Sequence, residues 1–297
     1  MRLRLLAALV LALAAQAQAA SPEAAPRVEL TSGATLYGVG LGLYVSLEND
    51  LRPRPAAWLT AGLATGLLLG TWRLTAATHP SADQARFIES TALWGAGESL
   101  LLSLALDDQI EDETLALVGF GALPVAALAA AVATRGVRAS VGQTMLANST
   151  GLWAPVIGIL GGATFHLGSG DHLARDLLVM SSVGLAAGVA LNQRYRPTSA
   201  EVLYLDAGML LGGLSAELVS LVFWPVTSEI GPEHYEGFTF MALAGMAAGA
   251  AVALAAHPLT RAGAAVAPPD AATSAGQATL PAVRSLSLYL PLVATTW

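Results

Sequence analysis

The sequence predicts an all-α protein of four tandem helical hairpins, eight helices in all, embedded in a membrane. Three observations carry that expectation. The chain is apolar and poor in charge, a helix-start signature recurs at intervals of 59 and 58 residues (Ser81, Ser140, Thr198), and glycines four residues apart punctuate six of the eight expected helices. Hydrophobic residues make up 55% of the 297 and charged residues only 12%, where soluble proteins carry roughly a quarter. The mean hydropathy is +0.60.

Composition also excludes. All fourteen basic residues are Arg and the formal charge is -7, so the clustered positive charge of a nucleic-acid binder is missing. With no Cys in the chain, disulfides, thiolate metal sites and cysteine nucleophiles are ruled out. A phosphate loop that ends in Lys is impossible without Lys. "GLSAE" at Gly213 to Glu217 is not the nucleophile elbow and lies in a helical pattern.

Taken in chain order, residues 1–19 come first. Arg2 and Arg4 precede an apolar run from Leu5 to Ala15 and a small-residue Ala17-Gln18-Ala19 site, the three-part layout of a signal peptide. An exported chain follows from that reading. Cutting after Ala19 leaves twelve Arg against twenty-one acids.

Residues 20–261 hold the hairpins, in units of approximately 28–80, 81–139, 140–197 and 198–261. Three connectors superimpose: "SADQARFIESTALWG" from Ser81, "SVGQTMLANSTGLWA" from Ser140 and "TSAEVLYLDAGMLLG" from Thr198. Each pairs a hydroxyl residue with Gln or Glu three positions on: Ser81 with Gln84, Ser140 with Gln143, Thr198 with Glu201. That is the capping box, in which the hydroxyl accepts from the third helical amide and the longer side chain accepts from the cap's own amide. A helix starts at each. Eight positions past the cap stand Glu89, Asn148 and Asp206, and five further on Trp94, Trp153 and Leu211; Ser32 and Tyr37 hold those places in a more diverged first unit.

Within each unit an apolar segment, a polar loop and a second apolar segment succeed one another. The loops are "ENDLRPRP", "DDQIEDE", "GSGDH" and "TSEIGPEHYE". The second segments include Thr114 to Thr134 and Gly237 to Leu259, both free of Asp, Glu, Lys and Arg and as long as the roughly 20 residues that cross a hydrocarbon core. Glycine pairs fall at Gly38/Gly42, Gly62/Gly66, Gly66/Gly70, Gly158/Gly162, Gly184/Gly188, Gly208/Gly212 and Gly245/Gly249. Residues four apart share a helix face, so each pair makes a groove where a second backbone can approach, and in lipid such close contact replaces the hydrophobic drive between helices. These glycines are therefore expected to be packing positions.

After Arg261 the character changes. Residues 262–284 read as a flexible linker of small residues and proline. Residues 285–297 alternate Leu286, Leu288, Leu290 and Leu292 with Ser287, Tyr289 and Pro291, an extended, strand-like tail.

The charge pattern sets a topological conflict. If the signal peptide is cut, the connectors lie outside the cytoplasm, yet Arg86, Arg135, Arg138, Arg194, Arg196 and Arg261 crowd them while Asp107 to Glu113 crowd one loop. Arginine excess marks the cytoplasmic side of a conventionally inserted protein. An outer-membrane or periplasmic destination removes the conflict, so the choice of membrane is left open.

The candidate ligand or ion residues are Glu89, Asn148 and Asp206, aligned with Ser32, together with the deeper Glu98 and Glu217. Intramembrane ionisable groups bind cations, protons or polar solutes when they converge on a wet axis; the alternative is that they bond neighbouring backbones or complement the helix dipole just past the cap. His166, Asp171 and His172 flank one loop without the spacing of a zinc motif. The cluster from Asp107 to Glu113 lacks the calcium loop's central Gly. No metal or other cofactor is implied, and the expected partner is membrane lipid. The expected function is a non-enzymatic structural or interaction protein of the cell envelope. A small channel or carrier with an acidic axis, or a periplasmic helical array that binds lipid, are the alternatives.

Overall fold

The computed structural model describes residues 24–106, 112–165, 173–223 and 232–263. Among them are eight helices and no strand: α1 (Ala25–Glu48), α2 (Pro53–Thr78), α3 (Ala82–Ala105), α4 (Asp112–Ala133), α5 (Val141–Phe165), α6 (Leu173–Leu191), α7 (Ser199–Phe223) and α8 (Pro232–Ala256). By its internal contacts the chain divides after Ala262, and all eight helices belong to the first unit. The signal peptide expected at 1–19 and the linker and tail expected at 262–284 and 285–297 lie outside the described residues, apart from Ala262 and Gly263.

Local sequence accounts for the helix ends. Prolines stand in the first turns of α1 and α2, where the missing N–H has no helical partner to lose. All three capping boxes are made. Gln84 N–H donates to Ser81 Oγ at 3.2 Å while Ser81 N–H donates to Gln84 Oε1 at 3.0 Å. The same reciprocal pairs join Ser140 with Gln143 and Thr198 with Glu201. α2 stops at His79, whose left-handed φ of 46° lets its N–H close on Thr75 O.

Each odd-numbered helix packs most extensively on the even-numbered helix that follows it. The odd-numbered helices also touch in series, α1 on α3, α3 on α5 and α5 on α7. α6 reaches back to α3 and α8 to α5. The result is a row of odd-numbered helices flanked by their partners.

What lies inside this array is small. Among the described residues the buried apolar side chains are four alanines with Leu146, Val202 and Met246, and the buried polar ones are ten Ser and Thr residues. Most of those hydroxyls donate to the carbonyl one turn back, as Thr31 does to Arg27 O at 2.6 Å, Thr35 to Thr31 O at 2.7 Å and Ser46 to Gly42 O at 2.6 Å. A hydroxyl satisfied within its own helix presents the neighbour with a thin, nearly apolar surface. Large aliphatic and aromatic side chains point the other way: Leu47 is 77% exposed, Trp58 72%, Val125 66% and Val222 78%.

Among the described residues four helices are long and apolar enough to cross a membrane: α1, α6, and the segments Ser199–Val222 of α7 and Glu236–Ala256 of α8.

Candidate functional site

The predicted polar positions do not meet at one point. Each instead engages a different neighbour. Asn148, on α5, accepts two hydrogen bonds at Oδ1 from α3: Ser90 Oγ at 2.5 Å and Trp94 Nε1 at 2.9 Å. Asp206, on α7, accepts the same two from α5: Ser149 Oγ at 2.5 Å and Trp153 Nε1 at 2.9 Å. One serine and one tryptophan four residues later thus grip a single oxygen of the next odd-numbered helix, twice. Glu89, on α3, pairs with Arg86 at 3.3 Å, and Arg86 reaches Glu29 of α1 at 2.9 Å. Ser32 is half-buried on α1.

Glu98 also serves a helix contact. Its two carboxylate oxygens accept from Ser181 Oγ at 2.5 Å and Ser182 Oγ at 2.7 Å, both on α6. Glu217 is half-buried and stays within its own helix, where Ser220 Oγ donates to its backbone O at 2.7 Å. Further cross-helix links were not singled out in the sequence. The Arg27 guanidinium sits 3.5 Å over the Trp72 ring and donates to Trp72 O at 3.1 Å, Tyr204 stacks on His257 at 4.1 Å, and Thr164 bonds Thr239 at 2.7 Å.

The glycines divide into two groups. Between α7 and α8 a Cβ at Gly208 would lie 2.6 Å from Gly249 O, one at Gly212 2.9 Å from Gly249 Cα, one at Gly249 2.7 Å from the Gly208 carbonyl carbon, and one at Gly245 2.5 Å from Ala216 Cβ. Gly38 and Gly42 of α1 face Ala64 and Thr60 of α2, at 2.8 and 2.5 Å from their Cα atoms. Gly184 and Gly188 of α6 lie against α5, the first 2.7 Å from Ala154 Cβ and the second 2.6 Å from Ala147 Cα by the same construction. A Cβ at Gly158 would meet only the flexible Met180 side chain. Gly62, Gly66 and Gly70 of α2 have nothing within 4 Å; they occupy the face opposite Thr60 and Ala64. Gly162 is half-buried on α5.

At the connector end, hydrogen bonds lace the helix starts together. Gln143 and Asn192 exchange side-chain-to-backbone bonds at 3.3 and 2.9 Å. Glu201 accepts from Thr260 N–H at 3.2 Å and Thr260 Oγ1 at 2.7 Å, and Asp83 accepts from Val141 N–H at 2.8 Å. The third position of each of the two later capping boxes is thus shared between its own helix start and the end of the helix that follows. An open groove lies between the starts of α3, α5 and α7.

His166, Asp171, His172 and Asp107 to Glu111 fall outside the described residues. Among the described residues no three His, Asp or Glu side chains gather into a metal-sized cluster.

Comparisons with protein-family models, with curated proteins and with solved structures return no match to this chain.

Proposed function

We propose that the chain is an exported, membrane-embedded structural or interaction protein of the cell envelope, built from four tandem hairpins whose helices meet along glycine pairs. The carrying observation is the inversion of residue size: Ser, Thr, Ala and Gly fill the contacts while Leu, Val and Trp face outward. In water that arrangement exposes far more apolar surface than a monomer sustains. In lipid it is the favourable one, because hydrocarbon solvates large side chains and only close, small-residue contact holds helices together. The repeated serine-tryptophan grip on Asn148 and Asp206 and the three capping boxes of the same geometry support a common ancestral unit.

A scaffold fits better than a carrier. Glu98 has both carboxylate oxygens engaged by serines, and Asn148 and Asp206 each hold two donors on one oxygen. A transport site needs acceptors that a solute can reach. The test has two parts. The protein should remain in the membrane pellet through carbonate and urea washes, and release by either would refute embedding. Reconstituted vesicles should show no ion or solute flux above protein-free vesicles; flux abolished by Glu98→Gln or Asp206→Asn would establish the carrier instead.

A further inference from the structure

The connector end carries a groove of about 1070 Å³, lined by Arg135, Arg138, Arg196, Asp83, Ser140 and Thr198 among others. Its volume is that of a small-molecule site, for which several hundred to about 1,000 Å³ is usual. All three arginines are exposed, and no salt bridge to any of them exists among the described residues. The lining acid, Asp83, is already committed to Val141 N–H at 2.8 Å. Glu201, beside Thr198, turns its carboxylate to Thr260. In a chain of formal charge -7 this groove is locally cationic. The starts of α3, α5 and α7 border it, so the positive ends of three helix dipoles add to the three guanidinium groups.

Position suggests the ligand. The groove lies where helices begin, and α7, one of those that border it, is long enough to span a bilayer; on the embedded reading, on which this inference rests, that places it at headgroup depth. Guanidinium groups bind phosphate oxygens in a bidentate fork, and basic pockets at the ends of membrane helices hold anionic headgroups. We propose that the groove binds a phosphate group, and that the phosphate belongs to an anionic phospholipid headgroup.

The experiment uses the full chain in detergent, titrated separately with phosphatidylglycerol, phosphatidylcholine and inorganic phosphate, with bound ligand read by native mass spectrometry. Phosphatidylglycerol should bind in preference to phosphatidylcholine. The combined variant Arg135→Gln, Arg138→Gln, Arg196→Gln should lose at least about tenfold in that binding, the order expected when three guanidinium contacts to an anion are removed. Removal of equal charge from the other end, by Arg52→Gln, Arg54→Gln and Arg175→Gln, should leave it within about twofold. Saturation by inorganic phosphate alone, sensitive to the groove variant, would support the phosphate site but overturn its lipid source. Equal binding of both lipids, or equal loss from both variants, would overturn the proposal. Should the groove variant fail to fold by circular dichroism, the single variants Arg135→Gln, Arg138→Gln and Arg196→Gln replace it; weakened phosphatidylglycerol binding in them supports the site, and binding unchanged in all three overturns it. Incorporation into pure phosphatidylcholine vesicles, read by flotation, separates the two failures: a chain that inserts but does not discriminate refutes the groove alone, whereas one that does not insert refutes the embedding.

Discussion

Asn148 and Asp206 do the same work with different chemistry. Each offers one oxygen to a serine hydroxyl and an indole N–H from the preceding odd-numbered helix. An amide oxygen suffices at the first of these places, so charge is not what the contact needs at the second. Asp206→Asn is therefore expected to retain stability to within about 0.5 kcal/mol, the ordinary scatter of a tolerated substitution. Asp206→Leu leaves Ser149 Oγ and Trp153 Nε1 without their acceptor and should cost about 1–2 kcal/mol, at the upper end of interhelical bonds in membranes. Reversible unfolding in mixed micelles measures both. An equal loss for Asn and Leu would show that the carboxylate's charge, not its acceptor, matters. At the last odd-numbered helix, Ala207 and Leu211 stand where Ser and Trp stand before, and Leu211 is 62% exposed. The donors are missing on the last odd-numbered helix among the described residues.

Half of this contact was legible in the sequence. Aligning the connectors singled out Glu89, Asn148 and Asp206, and put Trp94 and Trp153 five places beyond, because capping boxes are local and fix the register. The serines one place after the acceptor position, Ser90 and Ser149, carried the remaining signal. Their acceptors lie 58 and 57 residues away, on another helix, and no periodicity within one helix reveals which side chain of the next it meets. A row of odd-numbered helices distributes these positions over successive contacts.

At the scale of the helix, glycine has two different meanings here. Gly249 lies in the α7–α8 contact, where an added Cβ would run into the backbone of Gly208 and Gly212. Gly66 faces open space within the chain. An alanine raises helix propensity by up to about 1 kcal/mol over glycine wherever the site has room, while overpacking a close contact costs about 1–3 kcal/mol. Gly66→Ala is expected to raise the unfolding free energy of the monomer and Gly249→Ala to lower it, so the two variants should shift thermal stability in opposite directions. Both glycines belong to pairs four residues apart, and the spacing alone could not separate them. It states that one face of a helix is narrow, not whether anything in the same chain lies against it.

Helix starts were the most legible elements, and ends the least. The three boxes with Ser81, Ser140 and Thr198 appear where the sequence places them. α1 has no such box: it begins at Ala25, before the unit boundary of 28, with a proline in its first turn and no side-chain cap. His79 ends α2 in a left-handed conformation usually reserved for glycine or asparagine, which no pattern in the sequence announced.

Across the whole molecule, many large aliphatic side chains face out. Apolar composition and segment length foretold helices capable of spanning a bilayer; four meet that standard by length and hydropathy. The outward placement of large aliphatics was not foretold, because with 55% hydrophobic residues the segments read as apolar throughout. What separates inside from outside is size, with alanine, serine and threonine predominating among the buried side chains. Size sorting of this kind stabilises a bundle only when its surroundings dissolve the outer side chains.

Because the chain has no native Cys, single cysteines can be placed at the outward positions Val125, Val183 and Leu211, which are 66%, 61% and 62% exposed. Each carries a nitroxide in protein reconstituted into phospholipid vesicles. The decisive measurement is collision of those labels with oxygen, which partitions into hydrocarbon, against collision with a water-soluble nickel chelate. Embedding predicts high oxygen and low nickel accessibility at all three sites. Ready access of the nickel chelate to all three would place that surface in water and contradict it.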